Sequence, residues 1–239
     1  MVSMMTGKKV LIVIPAYNEE PSLGKVIEEV TFYVPQADVL VVNDGSTDAT
    51  ARIAREERVL ILDHPYNMGI GATMQTGFVY ALRNDYDIAV QIDADGQHDP
   101  AFLPSLIEPI LKGQSNLVIG SRYLSEEGFK STFLRKLGIA FFACLIRILT
   151  RIRVTDPTSG FRAVDRKGIG IFSEEYPSDY PEVEAVISAY KQGLTFREVS
   201  VRMRRRQGGT SSIGVLSALY YMVKVTLSVS VGFFRSNRA

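Results

Sequence analysis

The feature that most constrains the fold is a repeated alternation of short apolar runs with helix-like segments in the first half of the chain. Residues 8–14 are β-branched and apolar without alternation, as in a strand buried on both faces. Residues 21–33 then space their apolar side chains at helical intervals. The same order continues with strands predicted at 38–42, 59–62, 88–92 and 117–119, and helices at 47–57, 71–83 and 100–111. This alternation predicts an α/β, Rossmann-like domain with a mostly parallel central sheet flanked by helices.

Beyond residue 120 the alternation is less regular. Helices are predicted at 132–152 and 182–192, and a partly alternating strand at 194–203. The last apolar segment, 213–234, has a polar stripe if it is helical, although part of it also alternates with a strand period. Because Lys224 near its middle would be costly inside a bilayer, an interfacial helix is favoured over a transmembrane one. The predicted division is therefore a main domain at 1–212 and a C-terminal amphipathic, membrane-associating segment at 213–239.

The composition supports one folded domain whose two halves differ in charge. The 239 residues are 46% hydrophobic and 22% charged, which excludes a disordered chain. Residues 1–119 carry 8 Lys or Arg against 16 Asp or Glu, whereas residues 120–239 carry 19 against 10. An acidic first half suits metal chelation, and a basic second half suits phosphate groups or an anionic membrane surface.

The single cysteine and the N-terminus narrow the cellular setting. Cys144 excludes an intramolecular disulfide and a cysteine-based zinc site, and its apolar neighbours predict that it is buried. The first nine residues lack the apolar region of a signal peptide, so we expect a cytoplasmic protein. A nucleic-acid-binding module is the competing class, because the arginine run at 202–206 is also an electrostatic footprint for nucleic acid.

Polar motifs follow the first two predicted strands, at the sheet edge where α/β proteins bind ligands. The sequence PAYNEE follows the first strand and NDGSTD follows the second. Asp44 can accept hydrogen bonds from the ring N–H of a base or from ribose hydroxyls, and Tyr17 offers a flat apolar face. Alone, residues 43–45 would indicate a simple turn and helix cap. The repetition of polar motifs at successive strand ends favours a ligand site instead.

A glycine loop precedes the predicted helix at 71–83. Asn67, Gly69 and Gly71 superficially suggest a phosphate-binding loop, but the full dinucleotide motif is not present. Close packing of the helix on the sheet explains these glycines at least as well.

The strongest local signal is an acidic pair directly after the fourth predicted strand. Asp93 and Asp95 are separated by one residue, so their mutual repulsion is costly unless a cation offsets it. A hard divalent cation such as Mg²⁺ or Mn²⁺ would do so while bridging the oxygens of a diphosphate. Gln97 offers a further oxygen ligand, whereas Asp99 before Pro100 is predicted to be a helix cap. The sequence therefore predicts a metal-dependent enzyme that acts on a nucleoside diphosphate compound.

Taken together, these motifs resemble those of inverting glycosyltransferases of family 2 with the GT-A fold, and among them the polyprenyl-phosphate sugar synthases of the dolichol-phosphate mannosyltransferase type. The resemblance covers roughly residues 8–212. It is carried by the segments 15–20, 43–48, 93–98, 120–123 and 158–162, by Asn67, Gly69 and Gly71, and by Arg206, Gly209 and Ser211.

The resemblance implies a role for each matching position. A nucleotide-sugar, with UDP, GDP or dTDP as its nucleotide, is expected as the donor, and Asp93 is expected beside its diphosphate, with Asp95 and Gln97 as metal ligands. Arg122 and Arg135 match positions that hold the acceptor phosphate, although Gly138 and Ile139 stand where the family often has a serine. Arg206 matches a loop that closes over the donor. The nucleoside pocket is expected to contain Pro15, Tyr17, Glu19 and Asp44.

The expected reaction transfers a sugar to a polyprenyl phosphate such as undecaprenyl or dolichyl phosphate. A phosphate oxygen is already ionised near neutral pH, so the attack needs positioning and leaving-group stabilisation rather than a general base. The alternative is transfer to a hydroxyl of a cell-wall or surface polysaccharide precursor. That reaction needs a carboxylate base, for which Asp179, Glu182 and Glu184 are the candidates.

The expected location is the inner face of the cell membrane, where the protein would be peripheral. The basic residues at 135–153 and 202–206 suit a surface of anionic lipid. A small membrane-anchoring protein and a homo-oligomer are candidate partners. Nucleic acid is not an expected partner, because it would leave Asp93 and Asp95 unexplained.

Overall fold

The computed structural model describes residues 7–124, 133–178, 181–204 and 222–227, with the backbone alone at 133–135. Within these ranges seven strands form one sheet that has helices on both faces. The strands are β1 (Val10–Ala16), β2 (Asp38–Asn43), β3 (Leu60–Asp63), β4 (Ile88–Gln91), β5 (Leu117–Ser121), β6 (Arg162–Asp165) and β7 (Phe196–Ser200). The helices are α1 (Leu23–Tyr33), α2 (Thr50–Glu56), α3 (Ile70–Arg83), α4 (Leu103–Leu111), α5 (Phe133–Thr150), α6 (Arg166–Glu174) and α7 (Pro181–Lys191).

The sheet is mostly parallel, as predicted. Its strands run in the order β3-β2-β1-β4-β6-β5-β7. β1 pairs in parallel with β2 and β4, β2 pairs in parallel with β3, and β5 pairs in parallel with β7. β6 alone is antiparallel to its neighbours, β4 and β5. Every residue of β1 is buried, which explains its continuous apolar sequence.

The predicted elements are present with small shifts at their ends, but the sequence analysis omits β6 and α6. β6 has only four residues, and charged side chains stand at both of its ends. α6 contains two glycines, which weaken a helical signal. β6 exists because two strands pair with it, and neither partner is close to it in sequence. Asp99 caps a short 3₁₀ turn before α4, which confirms its predicted role.

Two apolar cores lie on opposite faces of the sheet. One packs α1 and α4 against it, and the other packs α3, α5, α6 and α7. Residues 222–227 are helical, and Val225 is fully buried in the second core. The rest of the predicted segment 213–239 lies outside the described residues. No described helix is both long enough and apolar enough to cross a membrane.

α5 has two apolar stripes. Phe142 and Ile146 face the core and are buried. Leu137, Phe141 and Ile148 stand on the opposite side and are exposed. Cys144 lies on this outer stripe, so the prediction that it is buried is wrong. Phe141 and Ile148, three and four residues away along the helix, are exposed on the same side.

Candidate functional site

A cleft of about 330 Å³ opens at the carboxyl ends of β1, β2 and β4, and we call it the strand-end cleft. These three strands are neighbours in the sheet, so the residues that follow them meet at one edge. The cleft brings together the predicted residues Pro15, Tyr17, Glu19, Asp44, Asp93 and Asp95. It is also lined by Ala16, Asn67, Gly69, Ile70, Thr73, Ala94 and Glu182.

The loops after β1 and β2 are hydrogen-bonded to each other, which holds Tyr17 and Glu19 at the cleft. Asn18 has a left-handed backbone, and its side-chain oxygen accepts a bond from the backbone N–H of Thr47 at 2.9 Å. The backbone N–H of Glu20 donates to Asp48 at 3.1 Å. Burial raises the pKa of Asp48, but hydrogen bonds from Thr50 and Glu20 outweigh it and hold this pKa below its ordinary value. The ionised carboxylate of Asp48 therefore helps to join the two loops.

Asp44 lies at the end of β2 and orders the neighbouring loop. Its buried carboxylate accepts hydrogen bonds from the backbone N–H groups of Met68 and Gly69 at 2.8 and 2.9 Å. The ring nitrogen Nδ1 of His64 lies 2.8 Å from the same carboxylate. Nε2 of His64 lies 2.9 Å from the hydroxyl of Thr76 on α3. Asp44 thus lines the cleft, and it also fixes the loop. A lone histidine after β3 gives no sequence signal for this role.

The loop at residues 66–69 passes close to the turn after β2. Gly45 has a φ of +69°, and a Cβ there would lie 2.5 Å from the carbonyl carbon of Tyr66. Only glycine fits this approach. Because Asn67 and Gly69 line the cleft, the glycine loop belongs to the site as well as to the packing of α3.

Asp93 and Asp95 stand in the cleft directly after β4. The side chain of Asp93 is 38% exposed, whereas Asp95 is buried and accepts a bond from the backbone N–H of Gln97 at 2.9 Å. His98 is buried, stacks on Phe161 with ring centroids 4.9 Å apart, and accepts a hydrogen bond on Nδ1 from the backbone N–H of Asp93. The proton of a neutral His98 therefore resides on Nε2, which lies 3.5 Å from Asp93 Oδ2. His98 holds the turn that carries the acidic pair.

The acidic pair fits a divalent cation that is completed by its substrate. No cluster of three or more His, Cys, Asp or Glu side chains suited to a metal ion occurs among the described residues. Mg²⁺ sites in enzymes commonly use one or two carboxylates together with substrate phosphates and water. Asp93 and Asp95 supply that number of carboxylates. Gln97, the third predicted ligand, is not among the described residues that line the cleft.

Arg122 belongs to a group of side chains around the buried Asp156. We call it the Arg122 cluster, and it consists of Arg122, Thr155, Asp156, Thr158 and Glu198. The guanidinium of Arg122 makes two 2.6 Å bonds to the carboxylate of Asp156, which is fully buried, and a 2.9 Å bond to Thr158. Burial lowers the pKa of Arg122, but its bonds to Asp156 outweigh this and raise it. Glu198 accepts bonds from the backbone N–H groups of Thr155 and Asp156 and so fixes the loop. Arg122 lies outside the cleft lining.

Glu182 lines the cleft from the first turn of α7, close to a buried arginine. Burial raises the pKa of Glu182, and the positive charge of Arg162 opposes that rise. Arg162 begins β6 and donates to the carbonyls of Ser159 and Pro157 at 2.6 and 2.7 Å. Its Nη1 is buried and has no hydrogen-bond partner among the described residues. The sequence analysis named Glu182 only as a candidate base and did not single out the Arg162 side chain.

The end of the main domain reaches the acidic turn. Met203 forms a β-bridge with His98, and the backbone N–H of Arg204 donates to the carbonyl of Gln97 at 2.8 Å. The Arg204 side chain binds Asp99 at 2.7 Å and also binds Glu29. Of the remaining predicted residues, Arg206 and Asp179 lie outside the described residues, and Arg135 lies on α5 at a position where only the backbone is described.

Comparison with known proteins places this site in a family. The family model described as "Glycosyl transferase family 2" matches residues 11–170. The chain is 36% identical over 214 residues to undecaprenyl-phosphate mannosyltransferase of Micrococcus luteus, covering 86% of this chain and 87% of that protein. It is 32% identical over 221 residues to UDP-N-acetylglucosamine–dolichyl-phosphate N-acetylglucosaminyltransferase of Methanococcus voltae, covering 83% and 86%.

A solved structure shares the fold. The chain matches glucosyl-3-phosphoglycerate synthase from Mycobacterium tuberculosis, in complex with Mn²⁺, UDP-glucose and phosphoglyceric acid, with a TM-score of 0.76. The match covers 97% of this chain and 81% of that chain at 22% identity, so it confirms the GT-A fold alone. The family model and the curated relatives show that this chain belongs to glycosyltransferase family 2.

Proposed function

We propose that this member of glycosyltransferase family 2 transfers a sugar from a nucleotide-sugar to a polyprenyl phosphate at a membrane surface, with inversion at the anomeric carbon. The observation that carries the proposal is the strand-end cleft, where side chains suited to a nucleoside lie beside an acidic pair suited to a diphosphate and its cation. The names of the curated relatives, which are sugar transferases to dolichyl or undecaprenyl phosphate, support the acceptor.

Donor binding is assigned to the cleft. Pro15, Tyr17, Glu19 and Asp44 would surround the nucleoside, with the Tyr17 ring, which is 46% exposed, free to stack on the base. Asp93 and Asp95, with Gln97, would hold Mg²⁺ or Mn²⁺, which when bound supplies neutralising charge to the departing diphosphate. Arg206 would add a positive charge beside the same group. Arg206 stands two residues after Arg204 in the sequence, and the backbone N–H of Arg204 donates a hydrogen bond to the carbonyl of Gln97.

Acceptor binding is assigned to Arg122 and Arg135. Asp156 and Thr158 fix the orientation of the Arg122 guanidinium before any ligand arrives. An oriented guanidinium binds a phosphate with little further loss of conformational entropy. The ionised phosphate oxygen attacks the anomeric carbon from the side opposite the diphosphate, so the attack inverts the configuration and no protein base is required.

Transfer to a sugar hydroxyl is not favoured. It needs a carboxylate that removes a proton during the attack. Glu182 is the described carboxylate whose position in the cleft suits that task. However, the curated relatives compared above are named for lipid-phosphate acceptors.

We place the protein peripherally at the inner face of the cell membrane. The outer stripe of α5 exposes Leu137, Phe141 and Ile148, and Arg147 and Arg151 beside it are also exposed. Apolar side chains flanked by positive charges suit an interface of anionic lipid. The segment 213–239 would add to this contact. Neither the described residues nor the relatives support an anchoring protein or a homo-oligomer, so neither is proposed.

The test offers the purified protein labelled UDP-glucose, UDP-N-acetylglucosamine and GDP-mannose with undecaprenyl phosphate and Mn²⁺. We expect one donor to give a labelled product that partitions into organic solvent. A labelled product found only in the aqueous phase, and only when a saccharide acceptor is supplied, would contradict the phosphate acceptor and support the hydroxyl alternative.

A further inference from the structure

The residues from Asp93 to Asp99 form the acidic turn, which carries the acidic pair beyond the end of β4. Asp93 and Asp95 repel each other, and a cation relieves this repulsion. Two hydrogen bonds shape the turn from within. The backbone N–H of Asp93 donates to Nδ1 of His98 at 3.0 Å, and that of Gln97 donates to Asp95 at 2.9 Å. Because these bonds join residues of the turn to each other, they do not fix its place on the rest of the domain.

Two residues that follow β7 hold the acidic turn from outside. Met203 forms a β-bridge with His98. The backbone N–H of Arg204 donates to the carbonyl of Gln97 at 2.8 Å. Gln97 therefore accepts a bond from Arg204 on its carbonyl and donates one to Asp95 from its N–H.

The side chain of Arg204 fixes the backbone that makes this contact. Its Nη2 donates to Asp99 at 2.7 Å, and its Nη1 binds Glu29 on α1. The three side chains are only 17–31% exposed, so their attraction is less screened than that of a fully exposed pair. Since α1 packs against the sheet through an apolar core, Glu29 stands on a rigid element. Arg204 thus ties the acidic turn to α1.

An unbroken series of contacts leads from α1 to the acidic pair. Glu29 binds the side chain of Arg204, the backbone of Arg204 binds Gln97, and the backbone of Gln97 binds the carboxylate of Asp95. Loss of a group that orients metal ligands from outside lowers metal affinity about ten- to a hundredfold. Arg204 is not among the described residues that line the cleft. Its effect on the acidic pair is therefore indirect.

We propose that Arg204 is a positioning residue for the acidic pair, and that Glu29 on α1 is the fixed point to which it ties the acidic turn. With the tie intact, Asp93 and Asp95 are held in the arrangement that binds a divalent cation. Without it, their mutual repulsion moves the turn. This inference rests on the cation site of the proposed function, but not on the identity of the sugar or the acceptor.

The experiment measures the Kd of UDP and of GDP for the full chain by calorimetry, once with Mn²⁺ and once with EDTA. Arg204→Met keeps the backbone N–H but loses both ion pairs. For the nucleotide that the wild type binds more tightly, we expect the Kd with Mn²⁺ to rise about tenfold and the Kd with EDTA to change less than about twofold. Arg52→Met breaks an exposed pair with Glu56 and should change neither. Equal changes in both Kd values of Arg204→Met, or no change in either, would overturn the proposal.

A double-mutant cycle tests whether Glu29 and Arg204 act through one contact. Glu29→Gln leaves the bond from Arg204 to Asp99 and should raise the Kd with Mn²⁺ about threefold. Because both substitutions break the same tie, the double variant should match Arg204→Met at about tenfold. An unchanged Kd in Glu29→Gln, or a rise of about thirtyfold in the double variant as for independent effects, would contradict the tie to α1.

Hydrogen exchange distinguishes a shift of the acidic turn from a general loss of stability. The N–H groups of Asp93 and Gln97 are bonded inside the turn and should exchange slowly in the wild type. In Arg204→Met, a peptide that covers the acidic turn should exchange about tenfold faster, while a peptide that covers β1 keeps its rate. Faster exchange in both peptides, or in neither, would contradict a positioning role.

Failure of the proposed function gives a different result. If Mn²⁺ tightens nucleotide binding and the variants behave as expected, but no lipid product forms, the acceptor assignment alone is wrong. If Mn²⁺ changes neither Kd of the wild type, the cation site fails, and the role of Arg204 fails with it. If Mn²⁺ tightens binding by the wild type and by Arg204→Met equally, the role of Arg204 alone is wrong.

Discussion

The strand-end cleft and the Arg122 cluster hold their charged side chains in opposite ways. In the cleft, the carboxylates of Asp44 and Asp95 accept bonds from backbone N–H groups, and Asp93 is 38% exposed. In the cluster, two nitrogens of the Arg122 guanidinium donate to the two carboxylate oxygens of the fully buried Asp156. The described contacts of the acidic pair are therefore mainly with backbone groups and His98, whereas Arg122 is held by an ion pair with a buried carboxylate. Changes in the first should alter ligand binding, and changes in the second should also alter stability.

The largest effect is expected in the cleft. Asp95→Asn should lower the rate of sugar transfer about 1000-fold, or about 4 kcal/mol of transition-state stabilisation, because the diphosphate loses charge compensation. Its free energy of unfolding should change by less than about 1 kcal/mol, since asparagine keeps an oxygen acceptor for the Gln97 N–H. Transfer assays with and without Mn²⁺ measure the rate, and urea unfolding measures the free energy of unfolding. Asp85→Asn, at an exposed ion pair, is the control and should change neither. If Mn²⁺ stimulated sugar transfer by Asp95→Asn as strongly as transfer by the wild type, the role of Asp95 in cation binding would be contradicted.

A substitution in the Arg122 cluster should lower the free energy of unfolding. Asp156→Asn leaves the buried Arg122 without its negative partner and should cost about 3 kcal/mol of unfolding free energy. The KM for undecaprenyl phosphate should also rise, while the Kd for the nucleotide-sugar stays the same. Urea unfolding and initial rates at varied lipid concentration measure the two effects. Glu56→Gln breaks an exposed pair with Arg52 and should cost less than about 0.5 kcal/mol. An equally small cost for Asp156→Asn would remove the contrast between the two regions.

A glycine joins the two regions, so its substitution tests whether they are separate. A Cβ at Gly160 would lie 2.9 Å from Gln91 Nε2 and 3.3 Å from Asp93 Oδ1. Gly160→Ala should therefore displace Asp93 and lower kcat/KM about 30-fold, or about 2 kcal/mol. Gly170→Ala, where no atom lies within 4 Å of the added carbon, is the matched control and should leave activity unchanged. Wild-type kinetics in Gly160→Ala would show that the position of Asp93 tolerates this shift.

The smallest effect concerns the loops that carry Tyr17 and Glu19. The pKa of Asp48 lies below its ordinary value near 3.8, so its ionised form adds stability above that pH and loses it as the pH falls through the lowered pKa. Asp48→Asn should cost about 1 kcal/mol of unfolding free energy at pH 7. The difference from the wild type should shrink below pH 3.8. Urea unfolding at several pH values measures it. A difference that is constant with pH would show that the charge of Asp48 is not what joins the loops.

The sequence was sufficient to predict the parts of the site that follow strands. Continuous apolar runs place β1, β2 and β4, and the residues after them must then share one edge of the sheet. This reasoning brings Tyr17, Asp44 and Asp93 together without any knowledge of side-chain contacts.

The contributions of β6 and α7 could not be predicted in the same way. β6 is short and is stabilised by pairing with β4 and β5 rather than by its own pattern. Glu182 was visible as an acidic residue near a helix start, but its place in the lining of the cleft depends on how α7 packs. The pairing of Arg122 with Asp156 likewise joins residues 34 positions apart, and no local pattern predicts it.

The β-bridge between His98 and Met203 determines when, during synthesis of the chain, the acidic turn can be completed. His98 carries the turn of the acidic pair, and its partner is synthesised about a hundred residues later. Arg204 closes the same turn through Asp99 and reaches back to Glu29, 175 positions earlier. Contacts this distant in sequence form late, after much of the chain has been ordered. A nascent chain that has left the ribosome only as far as β5 therefore has Asp44, Asp93 and Asp95 but lacks the residues that close the acidic turn, and that turn is complete only after Met203 and Arg204 have been made.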